Sequence, residues 1–135
     1  MNQMENILPK VKIGTDICQT KRVKAAYERF GEKFLSRVLT PEEKKYVTSN
    51  ERQLVNRLAG RFAAKEALSK VLGTGLRGVY FKELEILREP SGKPKIILHN
   101  RAKEKAEKEK LFNFDVSISH DHDFAVAVVV AVSSQ

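Results

Sequence analysis

The stretch that most limits what this chain can become is residues 51–72, which read as one long helix closed by Gly73. Wound at about 3.6 residues per turn, it places Leu58, Ala63, Ala64, Ala67, Leu68, Val71 and Leu72 on one half. Several of these are small, so this half can lie close against a sheet. The other half carries Arg61, Lys65, Glu66, Ser69 and Lys70, three cations around one carboxylate and one hydroxyl. Such a face suits a metal ion held by Glu66 and phosphates held by Lys65, Ser69 and Lys70. It equally suits a solvated surface with pairs such as Glu66 and Lys70 at i,i+4, and periodicity alone favours that plainer reading. Two features weigh against it. Phe62 stands on the polar side, and Gly73-Thr74-Gly75 follows as a loop that lets backbone approach a phosphate.

The remaining elements follow from pattern and punctuation. Residues 11–18 alternate as a strand, with Ile13, Thr15 and Ile17 on one face and Gly14, Asp16 and Cys18 on the other. Residues 21–38 are helical with a break at Gly31. Thr40-Pro41-Glu42-Glu43 is a capping box with proline at the first helical position, opening a short helix to about residue 49. Residues 79–87 and 95–99 form a hairpin around Pro90-Ser91-Gly92. Asn100 caps a highly charged helix over 101–110, and two further strands, 114–119 and 124–132, flank His120-Asp121-His122-Asp123. The order predicts an α+β fold, a mainly antiparallel sheet packed on the long helix. With no linker or repeat, residues 1–135 read as one domain.

Composition narrows the class. The chain is 41% hydrophobic and 31% charged, as in a globular protein rather than a disordered one. Its net charge of +8 attracts polyanions, whether nucleic acid, a polyphosphate cofactor or an acidic protein. A single cysteine, Cys18, excludes an intrachain disulfide. The first residues lack the apolar core of a secretory signal, and the apolar run at 124–132 is too short to span a bilayer, so the expected location is the cytoplasm.

Asp16 lies within an apolar strand, where a carboxylate needs a partner. A salt bridge or strand-end cap satisfies it, and so does a hard cation. Magnesium takes one or two carboxylates and completes its shell with water and substrate phosphates, a set that Asp16 and Glu66 would supply. His120 ends a strand and can donate to a phosphate or carry a proton. The histidines and aspartates of 120–123 lack further ligands for structural zinc. G-x-S-x-G, G-x-x-x-x-G-K-[ST] and G-x-G-x-x-G are all absent.

Three blocks in this order resemble one family. Ile13-Gly14-Thr15-Asp16-Ile17, then Arg61-Phe62-Ala63-Ala64-Lys65-Glu66-Ala67 leading to Gly73-Thr74-Gly75, then Val116-Ser117-Ile118-Ser119-His120-Asp121 look like the holo-[acyl-carrier-protein] synthases, the short 4′-phosphopantetheinyl transferases. Leu39-Thr40-Pro41-Glu42-Glu43 and Gly92-Lys93-Pro94 fit the same pattern. Gln19, where an acid is common, and a loose aromatic stretch at 80–82 depart from it. The resemblance implies a 4′-phosphopantetheinyl transferase-like fold and transfer of 4′-phosphopantetheine from coenzyme A to a serine of acyl carrier protein. It implies Mg²⁺ held by Asp16 and Glu66, and coenzyme A lined by Arg61, Lys65, Ser69, Lys70, Gly73, Thr74 and His120. Glu66 acting through water, or His120, would take the serine proton, and lysines such as Lys70 would steady the leaving group. Arg22 would dock acyl carrier protein, and the active sites of a homotrimer would lie between subunits. A nucleic-acid module, another Mg²⁺ phosphotransferase and a non-catalytic trimeric scaffold are the rival readings.

Overall fold

The computed structural model describes residues 9–73 and 79–134. Strand β1 (Lys10–Gln19) leads into helices α1 (Thr20–Phe30) and α2 (Glu32–Val38), divided at Gly31, whose φ of 54° favours glycine. Helix α3 (Pro41–Thr48) has the expected capping box: the Thr40 hydroxyl accepts from the Glu43 N–H, and the Glu43 carboxylate accepts from the Thr40 N–H. A short 3-10 turn at Glu51–Gln53 precedes α4 (Leu54–Leu72), the long helix, which ends on Gly73 in the left-handed region. Strands β2 (Leu84–Arg88) and β3 (Pro94–Leu98) make a hairpin. Helix α5 (Asn100–Lys108) and strands β4 (Leu111–His120) and β5 (Phe124–Ser133) complete the described chain.

The expected α+β architecture is the one observed. One antiparallel sheet has the order β1-β5-β4, and the β2-β3 hairpin forms a second. Helix α4 packs across β1 and β5. Small side chains make this close approach possible: Ala63, Ala64 and Ala67 of α4 and Ala125, Ala127 and Ala131 of β5 are all buried. At Gly14 the fit is closest, since a Cβ there would lie 2.2 Å from the Ala67 carbonyl oxygen. The opposite face of the sheet is apolar and open. Val11, Ile13 and Ile17 are 69%, 65% and 63% exposed, and the register sets them beside Val132, Val130 and Val126.

Two expectations fail here for one reason, Glu83. The strand expected over 79–87 begins only at Leu84, after a 3-10 turn at Phe81–Glu83. The helix expected to be capped by Asn100 instead has His99 at its N-cap, and Asn100 adopts a φ of 48°. The Glu83 carboxylate accepts from the backbone N–H of Tyr80 at 2.7 Å, on its own turn, and from that of Arg101 at 2.6 Å, at the mouth of α5. A carboxylate from another element therefore does the work of a local cap. The solvated-face reading of α4 is also overturned, because Arg61, Lys65 and Ser69 on its polar half are buried.

Candidate active site

The close contact of β1 with α4 brings two acids, 50 positions apart in the chain, onto one cleft of about 570 Å³. Asp16 and Glu66 line it together with Arg22, Cys18, Phe34 and Phe62. Alternation along β1 turns Asp16 to the same side as Gly14, the side that meets the helix. Lys70, one turn after Glu66, donates to the Thr15 carbonyl at 2.6 Å and approaches the Asp16 Oδ1 at 3.3 Å. Phe62, the aromatic on the polar side of the helix, packs between Phe34 and Phe81 with ring centroids 6.5 and 5.2 Å away.

The electrostatics of this cleft favour a cation. Burial, and then the negative charge of Asp16, push the Glu66 carboxyl above its usual range, with Lys70 pulling the other way. The Cys18 thiol is likewise raised by burial and by Asp16, as expected of a thiol that packs rather than reacts. Two acids, with Lys70 and Arg22 beside them, are a donor set that Mg²⁺ fits: two carboxylates for the protein's share, oxygens of water and phosphate for the rest. Among the described residues no group of three or more His, Cys, Asp or Glu converges.

A second cavity, of about 330 Å³, holds Arg61 and His120. Tyr46, Arg57 and Arg88 also line it, and no Asp or Glu does. The two cavities share no lining residue. The chain thus brings Asp16, Glu66 and Arg22 together, with Lys70 on Asp16, and separately brings Arg61 and His120 together.

Lys65 belongs to neither cavity, which corrects its expected place on the coenzyme A phosphates. It is 0% exposed, and its ammonium group donates to the Glu43 carboxylate at 2.6 Å and to the carbonyls of Val38 and Phe81 at 2.6 and 2.9 Å. All three N–H groups are engaged, and none remains for a phosphate. Burial pulls its pKa down and Glu43 pushes it back up. Ser69 is also internal: its hydroxyl donates to the Glu66 carbonyl at 2.6 Å. Gly73 ends the helix with a φ of 77°, and Thr74 lies outside the described residues. Tyr46, Arg57 and Arg88, which also line the second cavity, belong to no motif in the sequence. Only Arg57 carried a signal, standing one helical turn before Arg61.

The family model of the 4′-phosphopantetheinyl transferase superfamily matches residues 12–129. The chain belongs to that superfamily. A holo-[acyl-carrier-protein] synthase of Gloeobacter violaceus is 47% identical over 91 residues, 67% of this chain and 69% of that one. One of Clostridium perfringens is 48% identical over 93 residues, 68% of each. Among solved structures, the holo-[acyl-carrier-protein] synthase of Neisseria meningitidis superposes with a TM-score of 0.81 at 39% identity, covering 89% of this chain and 96% of that one. That of Helicobacter pylori, solved in complex with coenzyme A, gives 0.77 at 38% identity over 88% and 98%. The expected fold and the expected enzyme class, holo-[acyl-carrier-protein] synthase, are those of these transferases. No helix among the described residues is long and apolar enough to cross a membrane.

Proposed function

We propose that this transferase moves 4′-phosphopantetheine from coenzyme A to a serine of apo acyl carrier protein, releasing adenosine 3′,5′-bisphosphate, in the cytoplasm and in the service of fatty acid biosynthesis. The observation that carries this reading is the pairing of Asp16 with Glu66 in one cleft, flanked by Lys70 and Arg22. Asp16 and Glu66 would hold Mg²⁺, which when bound supplies positive charge to the pyrophosphate. Arg61 and His120 would face the phosphates from the other cavity, and the resemblance assigns Gly73 and Thr74 to the phosphates as well. Arg22, on the first turn of α1, meets the acidic surface of the carrier protein.

The chemistry is a phosphoryl transfer governed by positioning and electrostatics. The serine oxygen bonds to the β-phosphorus as the bond to the bridging oxygen breaks, and the adenosine bisphosphate leaves with that electron pair. Lys70 steadies the charge that builds on the leaving side. The serine proton passes to Glu66 through water, or to His120. Glu66 is the favoured acceptor, since it lines one cleft with Asp16, its partner as metal ligand.

The separation of the two cavities favours active sites between subunits, as in the homotrimer the resemblance implies, where one protomer's carboxylates would meet its neighbour's Arg61 and His120. The open apolar face of the sheet supplies a surface for such contacts. The deciding experiment incubates the protein with coenzyme A, Mg²⁺ and apo acyl carrier protein, then weighs the carrier. A gain of the phosphopantetheine mass that requires the metal is expected, and no gain at any metal concentration overturns the reading.

A further inference from the structure

Three guanidinium groups gather on one tyrosine ring. The central carbons of Arg57, Arg61 and Arg88 lie 4.1, 4.5 and 5.5 Å from the ring centroid of Tyr46. They arrive from two elements: Arg57 and Arg61 from successive turns of α4, Arg88 from the end of β2. Arg57 is tied further to the Tyr46 residue, donating to its carbonyl at 2.8 Å and to the Ser49 hydroxyl at 3.0 Å. None of the three makes an ion pair with a described carboxylate. The cavity all three line beside His120 contains no described acid, while Tyr46, Arg61 and Arg88 also border a neighbouring cavity that holds Glu42, Glu43 and Glu89 without an ion pair to them.

Like charges this close repel unless something negative completes the group. Burial, and after it the charges of Arg57 and Arg88, work against the Arg61 guanidinium, while Tyr46 and Glu43 work for it. Arg61 is 7% exposed, yet its Nε finds no hydrogen-bond partner. An aromatic face can hold such a cluster in place. Phosphate oxygens match the unused donors.

We propose that Tyr46 is a positioning residue whose ring holds Arg57, Arg61 and Arg88 together as one preorganised receptor for phosphate oxygens of the substrate. Arg57 and Arg88 thereby join Arg61 as phosphate-binding groups. The ring makes the contacts, and the hydroxyl bonds to no described residue. This rests on the reading that Arg61 and His120 face coenzyme A. Tyr46 itself touches no reacting atom, so it governs coenzyme A binding rather than the chemical step.

Calorimetric binding of coenzyme A, steady-state kinetics and thermal melts of the full chain test this in Tyr46→Leu, Tyr46→Phe and Arg88→Gln. Tyr46→Leu raises KM and Kd for coenzyme A by roughly five- to thirtyfold, with kcat within about twofold of wild type. Its KM for carrier protein stays as in wild type. Tyr46→Phe behaves as wild type. Arg88→Gln, altering an exposed side chain, weakens coenzyme A binding at an unchanged Tm. A Tyr46→Leu variant with wild-type KM for coenzyme A, or a Phe variant as damaged as the Leu one, overturns the proposal alone. If Tyr46→Leu does not fold, unchanged coenzyme A affinity in Arg88→Gln overturns it equally. A wild-type protein that binds no coenzyme A overturns the reading of the whole site.

Discussion

Glu66 sits where its own charge is unwelcome in the metal-free protein, and that makes it testable apart from catalysis. Its folded pKa is raised by burial and by Asp16. The unfolded chain therefore gives up this proton at lower pH than the folded one does. The stability linked to Glu66 is full in acid and is lost as pH rises through the folded value. Glu66→Gln removes that loss. Metal-free thermal melts should show the variant more stable than wild type near about pH 8, with the gap closing below about pH 4. The same variant should lose transfer activity by roughly a hundredfold or more, read by the mass of the carrier protein. Normal turnover would end the metal-ligand assignment. Lys65 makes the opposite case, a charge whose function is internal. Lys65→Met strands Glu43 without its cation and should cost about 3–5 kcal/mol in urea unfolding. A loss below about 1 kcal/mol would show the pair to be dispensable.

At the scale of elements, the site depends on how closely β1 can lie on α4. Gly14 sits two residues before Asp16, against the Ala67 carbonyl, and Ala67 follows Glu66. A methyl group at Gly14 has nowhere to go, because the obstacle is helix backbone rather than a flexible side chain. Gly14→Ala should cost about 1–3 kcal/mol or more and weaken Mg²⁺-dependent activity with it, since pushing the strand away parts the two carboxylates. Denaturant midpoints alongside metal titrations check this. Wild-type stability and metal dependence together would show that the strand and helix adjust at no cost. The capping box of α3 and the glycine end of α4 were legible because each is set by neighbours in sequence. The turn at Phe81–Glu83 and the start of α5 were not, because one Glu83 carboxylate serves both. The buried state of Lys65 was hidden for the same reason: its partners lie 27, 22 and 16 residues away.

At the scale of the whole molecule, the cavity lined by Asp16 and Glu66 shares no lining residue with the one lined by Arg61 and His120. An exposed row of Val11, Ile13 and Ile17 beside Val126 and Val130 is costly to leave in water and inviting to a second copy. Ile13→Lys, at a side chain already 65% exposed, should leave the chain folded and, under the proposed homotrimer, prevent its assembly. Sedimentation should then report monomers, and transfer activity should fall with the loss of the neighbour's Arg61 and His120. A fully active monomer would place the whole site within one chain.

What the sequence determined unaided was local or periodic: the strand that turns Asp16 inward, the helix that carries Glu66, their caps, and the small residues that let the two approach. From those, the pairing of the acids was foreseeable. Only the tertiary structure decided which cations of α4 face a cavity and which are consumed inside. Helical periodicity ranks side chains around an axis but does not say what lies opposite each one. Lys65 meets Glu43 and two carbonyls there, Arg61 meets the ring of Tyr46, and Lys70 meets Asp16.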